Sequence, residues 1–210
     1  MTVQVQWINH ASFRIQGSDA TLYIDPWKIS GSPHDADVIF VSHMHHDHLS
    51  PPDIKEISKE DTAIVAPADV IAALHARNAI APGESLTIKG VTIEGVAAYN
   101  IGKAFHPRGN HWCGAVFTID GKRIYYAGDT DLVPEMSDLK DVDLAMLPVG
   151  GTYTLNASEA AKACKAIGCK AALPYHYGDI VGAASDGDHF ATAAPCKVHL
   201  LKPGQTVNLE

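Results

Sequence analysis

Hydrophobic and polar positions alternate from the start of the chain. Val3, Val5 and Trp7 fall on one side of an extended segment and Gln4 and Gln6 on the other, so Val3–Ile8 predicts a half-buried strand. Ser12–Ile15 and Thr21–Ile24 follow as short strands, the second stopped by Asp25-Pro26. Asp37-Val38-Ile39-Phe40-Val41-Ser42 is apolar without alternation, which predicts a strand covered on both faces over Val38–Val41. Pro51-Pro52-Asp53 opens a short helix to Ile57, and Ala63–Ala66 reads as a strand. Val70, Ile71 and Leu74 give Ala68–Ala76 a helical apolar face. Ser85–Ile88 and Val91–Ala97 flank Lys89-Gly90 as a hairpin.

The second half echoes the first. Gly114–Ile119 and Arg123–Ala127 form a hairpin across Asp120-Gly121, and Asp143–Pro148 repeats the acidic-then-apolar pattern of residues 37–42. A helix over Ala157–Ile167 is bounded by Asn156 and Gly168. Ala171–Pro174 is a strand leading into Tyr175-His176, and Val198–Leu201 and Thr206–Leu209 end the chain in strands. Two sets of strands, each followed by strand–helix units, predict an α/β (α+β) chain folded as a four-layer αββα sandwich. Without a linker or low-complexity segment, residues 1–210 are expected to form one domain.

Composition narrows the function classes. A hydrophobic content of 46% and mean hydropathy of -0.02 are those of an ordinary globular chain. A net charge of -8 and pI near 5.8 leave no basic footprint, so nucleic acid is not an expected partner. No run of apolar residues is long enough to span a membrane, and the amino terminus lacks the pattern of a signal peptide, so a cytoplasmic location is expected. Cys113, Cys164, Cys169 and Cys196 show no C-x-x-C spacing and are expected as reduced, partly buried thiols.

The chemistry concentrates in His43-Met44-His45-His46-Asp47-His48, directly after the buried strand. On an extended backbone His43 and His45 project to one side, and Asp47 and His48 follow where the chain turns. Neutral imidazoles and a carboxylate suit Zn²⁺, and also Fe or Mn. A binuclear centre needs further donors, including a bridging carboxylate. Asp129 and His176 sit at predicted strand exits, and His106 and His111 lie between the hairpins, either able to supply a third imidazole. His10, beside Trp7 and Asp25, is a candidate to orient the site or touch substrate, while His46 is expected to point away. Lys103 and Arg108 are candidates for binding an anionic group.

Together, His43-x-His45-x-Asp47-His48, a later loop His, Gly128-Asp129-Thr130 and His176 resemble the metallo-β-lactamase superfamily. Trp7-Ile8-Asn9-His10 and Ile24-Asp25-Pro26-Trp27 sharpen the resemblance to its Zn-dependent hydrolase branch, which includes L-ascorbate-6-phosphate lactonase-like and N-acyl-phosphatidylethanolamine phospholipase D-like proteins. That branch usually has Gly before the early His, where this chain has Asn9. The resemblance covers essentially the whole chain and implies the metallo-β-lactamase fold. It also implies that His43, His45 and a loop His hold one metal. Asp47, His48 and His176 would hold a second, and Asp129 would bridge them. The Phe105-His106-Pro107 sequence favours His106 over His111.

The expected function is that of a binuclear metal-dependent hydrolase. Two divalent cations, Zn²⁺ ahead of Mn²⁺ or Fe²⁺, would generate hydroxide near neutral pH to attack an ester, lactone, amide or phosphodiester. The substrate would be a small cytoplasmic metabolite, anionic ones included. Asp47 could both ligate and steer the hydroxide, and leaving-group protonation falls to Asp47, His10 or Tyr153. Alternatives are a diiron redox protein, against which His45 stands where redox members carry an acidic ligand, and a metal-retaining binding protein without turnover. Self-association is compatible with the chain, but no segment identifies an interface.

Overall fold

The amino-terminal alternation becomes three antiparallel strands, β1 (Val3–Asn9), β2 (Ser12–Gln16) and β3 (Thr21–Ile24). In the computed structural model, which describes residues 2–210, the chain then switches to parallel pairing. Strand β4 (Ala36–Phe40), β5 (Ser58–Ala66) and the two-residue β6 (Asn78–Ala79) are joined by helices α1 (Pro51–Ile57) and α2 (Ala68–Leu74). The second half repeats this wiring. β7 (Ser85–Ile88), β8 (Val91–Ala97), β9 (Cys113–Ile119) and β10 (Lys122–Tyr126) are antiparallel neighbours. β11 (Leu144–Pro148), β12 (Ala171–Tyr175) and β13 (Lys197–Val198) continue the sheet in parallel, with α3 (Ala157–Ile167) and α4 (Asp186–Ala193) as crossovers. The last strand, β14 (Thr206–Leu209), returns to pair with β1. The sheets therefore run β14-β1-β2-β3-β4-β5-β6 and β13-β12-β11-β10-β9-β8-β7.

Alternation along the strands divides the core into three. Trp7, Phe13 and Phe40 of the first sheet meet Phe117, Tyr126 and Tyr175 of the second in a central layer. Ile39 and Val41 face the other way, under Ile54, Ile57 and Val70 from α1 and α2. Tyr125, Ala145 and Leu147 do the same beneath α3 and α4. This is the expected αββα sandwich, and it explains why β4 and β11 lack alternation: both their faces are covered. Each large apolar side chain so buried contributes roughly 1.5–3 kcal/mol.

Local chemistry sets the ends of the elements. Helix α3 begins with a capping box, in which Asn156 Oδ1 accepts from Glu159 N and Glu159 Oε2 accepts from Asn156 N, both at 2.9 Å. Such a cap stabilises by about 1 kcal/mol. The β9–β10 turn places Asp120 at φ 48° and Gly121 at φ 76°, the two left-handed residues of a hairpin turn that matches strand twist.

Four local expectations need correction. Helix α2 stops at Leu74 rather than Ala76, because His75 takes a left-handed conformation and closes it. Strand β5 starts at Ser58, not Ala63, since it leaves α1 without a turn and its polar first half pairs irregularly with β4. The strand expected over Val198–Leu201 is only Lys197–Val198, after which Leu200 and Leu201 leave the sheet to line a cavity with Trp7 and Tyr177. Helix α4 has no counterpart among the predicted elements, which pass from Tyr175-His176 directly to Val198–Leu201. It buries only Gly187 and Phe190, so its apolar periodicity is nearly silent.

Candidate metal centre

The covered strand β4 ends at Phe40, and Ser42 and His43 are still buried as the chain enters its loop. The amides of His48 and Leu49 both donate to the His45 carbonyl, at 3.0 and 2.8 Å, folding the loop back on itself. This turn directs His43, His45, Asp47 and His48 inward and leaves the His46 side chain 84% exposed. The second sheet supplies donors from the ends of its own strands, Asp129 just beyond β10 and His176 just beyond β12, and the β8–β9 loop carries His106. His10 occupies the β1–β2 turn. His10 and His176 adopt left-handed φ values of 37° and 61°. Such strain costs of order 1–3 kcal/mol and persists only where the surroundings hold it. Here the His176 amide donates to the His10 carbonyl at 3.1 Å.

Two clusters of potential ligand atoms result, each with all its atoms within 4.8 Å of one another. One is His43, His45, His106 and Asp129, and the other is His10, Asp47, His48 and His176. Asp129 lies between them. Its Oδ2 is 3.4 Å from His106 Nε2 and 3.2 Å from His176 Nε2, while its Oδ1 is 3.3 Å from His48 Nε2. Asp47 Oδ2 is 3.1 Å from His10 Nε2, 3.6 Å from His176 Nε2 and 3.8 Å from His48 Nε2. His111, by contrast, is exposed and faces a different cavity with Arg108 and Glu135.

Groups behind the clusters fix the imidazole tautomers. Asp25, fully buried, accepts from Ser42 Oγ, Tyr126 Oη and His48 Nδ1, each at 2.6 Å, and from Ser42 N at 2.7 Å. Because Ser42 Oγ gives its proton to Asp25, it is free to accept from His43 Nδ1 at 2.8 Å. Asn100 Oδ1 accepts from His106 Nδ1 at 3.0 Å, and the Asn100 amide is oriented by donating to the Tyr153 carbonyl at 2.8 Å. All three rings therefore carry a proton on Nδ1 in their neutral form and turn an Nε2 lone pair to the site. Behind the second cluster, a Cβ on Gly150 would overlap the His176 carbonyl oxygen, so glycine is required for the close approach.

Electrostatics within the clusters are opposed and strong. Burial works against the charged form of Asp129, yet His176, His48 and His106 hold its carboxyl well below the ordinary range. Asp47 is lowered for the same reasons, against its burial, by His10, His176 and His48. Burial disfavours charge on His48 and His176, but Asp129, aided by Asp25 at His48 and by Asp47 at His176, raises both. His43 and His45 are lowered, by burial first and then by neighbouring histidines.

A family model described as a β-lactamase superfamily domain matches residues 4–176. The chain belongs to the β-lactamase superfamily. A UPF0173 metal-dependent hydrolase of Thermococcus onnurineus is 34% identical over 238 aligned positions, covering 99% of this chain and 100% of the relative. One from Staphylothermus marinus is also 34% identical, covering 96% and 97%. This superfamily member is thus one of the UPF0173 metal-dependent hydrolases. Among solved structures, the metallo hydrolase Igni18 of Ignicoccus hospitalis superposes with a TM-score of 0.82 at 24% identity, covering 100% of this chain and 99% of its own. The metallo-β-lactamase fold protein YhfI of Bacillus subtilis gives a TM-score of 0.76 at 16% identity, covering 99% and 100%. Both likenesses establish the metallo-β-lactamase fold.

The donor set of this superfamily member fits divalent metal. His48 Nε2, His106 Nε2, Asp129 Oδ1 and both His176 ring nitrogens are buried without a hydrogen-bond partner in the protein. Buried polar atoms are normally paired, so a convergent group of unpaired ones is an arrangement for a ligand. A mixture of imidazole and carboxylate suits Zn²⁺, Mn²⁺ or Fe²⁺.

Beside the clusters opens a cavity of about 500 Å³, walled by Phe105, Tyr153, Ile180 and Val181 and floored by Asp47 and Asp129. Lys103 and Arg108, expected as anion-binding candidates, do not line it. Lys103 Nζ is held by Asp131 at 2.7 Å and the Thr154 carbonyl at 2.8 Å, and Arg108 pairs with Glu135 at 2.9 Å. Sequence reasoning did not single out Ser42 or Asn100, and it used Asp25 only as part of a motif. The signal available for Asp25 was its place at a strand exit before Pro26, matching the place of Asp129 after β10.

Proposed function

We propose that this chain is a binuclear metal-dependent hydrolase acting in the cytoplasm on a small, neutral ester, lactone, amide or phosphodiester with an apolar portion. His43, His45 and His106 would hold one ion, Asp47, His48 and His176 the other, with Asp129 shared. The observation that carries this reading is the position of Asp129 within 3.4 Å of imidazoles from both clusters, whose ring nitrogens otherwise lack partners. When bound, two divalent ions, Zn²⁺ ahead of Mn²⁺ or Fe²⁺, would polarise the scissile carbonyl or phosphoryl oxygen and acidify a water.

The chain's own residues would do the rest. Asp47, at the cavity floor with its carboxyl held ionised, accepts a proton from the attacking water and returns it to the leaving group. His10 meets Asp47 but not that cavity, so it positions the carboxylate rather than touching substrate. Phe105, Ile180 and Val181 would take the apolar part of the substrate. Phe105 and Ile180 line the cavity while 47% and 48% exposed. Beyond the candidate ligands and His46, the wall is apolar or uncharged and has no lysine or arginine, which supports a neutral group over the anionic one considered from sequence. The four unpaired thiols support a reducing compartment.

The test is metal analysis combined with a panel of neutral and anionic esters, lactones and phosphodiesters. Two zinc equivalents per chain and turnover of neutral, apolar members are expected, with Phe105→Ala raising KM several-fold. One equivalent at saturation would sink the binuclear reading. Preference for anionic substrates would sink the reading of the wall.

A further inference from the structure

The parallel strands of the second sheet carry the histidine–aspartate centre at their C-terminal ends. Their N-terminal ends carry a different set of donors. Cys164 lies in the last turn of α3, Cys169 in the link from α3 to β12, and Cys196 in the link from α4 to β13. Parallel pairing of β12 with β13 brings the two links together, and their three sulfurs all lie within 4.8 Å of one another. Cys169 and Cys196 are 3.8 Å apart, and all three are free thiols. Cys169 and His176 flank opposite ends of β12, seven positions apart, so the cluster stands about 20 Å from the other centre.

The 3.8 Å between Cys169 and Cys196 is compatible with two sulfurs sharing an ion. With metal–sulfur bonds of about 2.3 Å, two sulfurs on one ion lie about 3.8 Å apart in tetrahedral and about 4.0 Å in trigonal coordination. The donor set decides between these. Among the described residues, only sulfur joins this group, with no imidazole or carboxylate to complete a four-ligand site. Apolar Ile167, Phe190, Ala172 and Val198 pack in the same layer. Cys164 and Cys169 are buried and Cys196 is half-buried, which leaves a route of entry.

We propose that Cys164, Cys169 and Cys196 form a second metal site, independent of the histidine–aspartate centre, that takes a soft monovalent cation, Cu(I), in three-coordinate all-sulfur geometry. Soft thiolates select such an ion, whereas zinc prefers a fourth ligand that this site lacks. Binding expels thiol protons and ties the loop after α3 to the edge strand β13.

The test titrates reduced, zinc-loaded full-length protein with Cu(I) under anaerobic conditions against a competing chelator, with X-ray absorption at the copper edge. One equivalent is expected, with three sulfur neighbours at about 2.3 Å and no nitrogen. Cys196→Ser should lower copper affinity at least tenfold while zinc content and the thermal midpoint stay at wild-type values, and Cys196→Ala serves if the serine variant is unstable. His45→Ala should leave copper affinity unchanged. Nitrogen neighbours, uptake that survives both Cys196 variants, loss of uptake in His45→Ala, or failure to compete with the chelator would each overturn the proposal.

Discussion

Replacing Asp25 by Asn tests whether the network behind the histidines governs metal affinity. All four groups that meet the Asp25 carboxylate are donors: Ser42 N, Ser42 Oγ, Tyr126 Oη and His48 Nδ1. An amide can keep its oxygen at the three-donor position, but its NH₂ then faces the Ser42 amide. Three charge-assisted bonds become neutral ones, each weaker by about 1 kcal/mol, and an unsatisfied buried donor adds about 1–3 kcal/mol. Removing a buried carboxylate returns some of this, so a net loss of about 3 kcal/mol in stability is expected. The backbone does not confound the substitution, because Asp25 has φ 43° and Asn tolerates that region as well as Asp. For metal, the effect passes through His48 directly and through Ser42 to His43, and loss of such support typically lowers affinity 10–100-fold. Competition between protein and a chromophoric zinc chelator measures this. Ser42→Ala, which removes the His43 branch and one donor to Asp25 but leaves His48 Nδ1 on the carboxylate, should weaken binding less. Affinity of Asp25→Asn within twofold of wild type for both equivalents would refute the argument.

Other outcomes follow from the same geometry. His106→Ala should lose zinc while His111→Ala keeps the full complement, because only His106 faces Asp129; equal zinc contents would reverse the assignment. Gly150→Ala should displace the His176 backbone, costing about 1–3 kcal/mol from overpacking and reducing zinc content, as read by thermal unfolding and metal analysis. In the metal-free protein Asp129, Asp25 and Asp47 shift His48 and His176 toward their protonated forms, whereas burial shifts His43 and His45 toward the neutral one. Zinc uptake should therefore release protons, seen as a binding heat that varies with the ionisation enthalpy of the buffer, and affinity should rise with pH. The stabilisation that the two raised histidines give the metal-free fold is complete below 6.5 and fades as pH climbs through their folded values. A heat identical across buffers would contradict this.

The fold was legible where burial leaves a periodic trace. Strands β7, β8 and β14 and helices α1 and α3 fall at their expected residues because turns, prolines and caps mark them. Helix α4 was not legible, since one anchoring Phe190 leaves no stripe. The residues that converge at the candidate centre were legible and the groups behind them were not. A histidine cluster announces itself within six residues, whereas Asp25 acquires its role from His48, 23 residues away, and Tyr126, 101 residues away. Spacing alone also left His106 and His111 equal. What separates them is Asn100, whose amide catches the His106 ring, while His111 closes a short helical turn in a left-handed conformation and stays outside.

The centre straddles the seam between the two sheets, and that has a consequence for biosynthesis. Loops of the first sheet carry His10 and residues 43–48, and those of the second carry His106, Asp129 and His176. A nascent chain emerging from the ribosome holds only the first sheet's donors until His106 and Asp129 appear, its second cluster stays incomplete until His176, and β14, which seals the edge against β1, comes later still. Completion of the second cluster would thereby be deferred to the last steps of maturation. Once held, an ion clasps the two layers and favours the assembled state by mass action. Loading would thus mark the finished molecule, and half-made chains, lacking that clasp, would be the ones exposed to proteolysis.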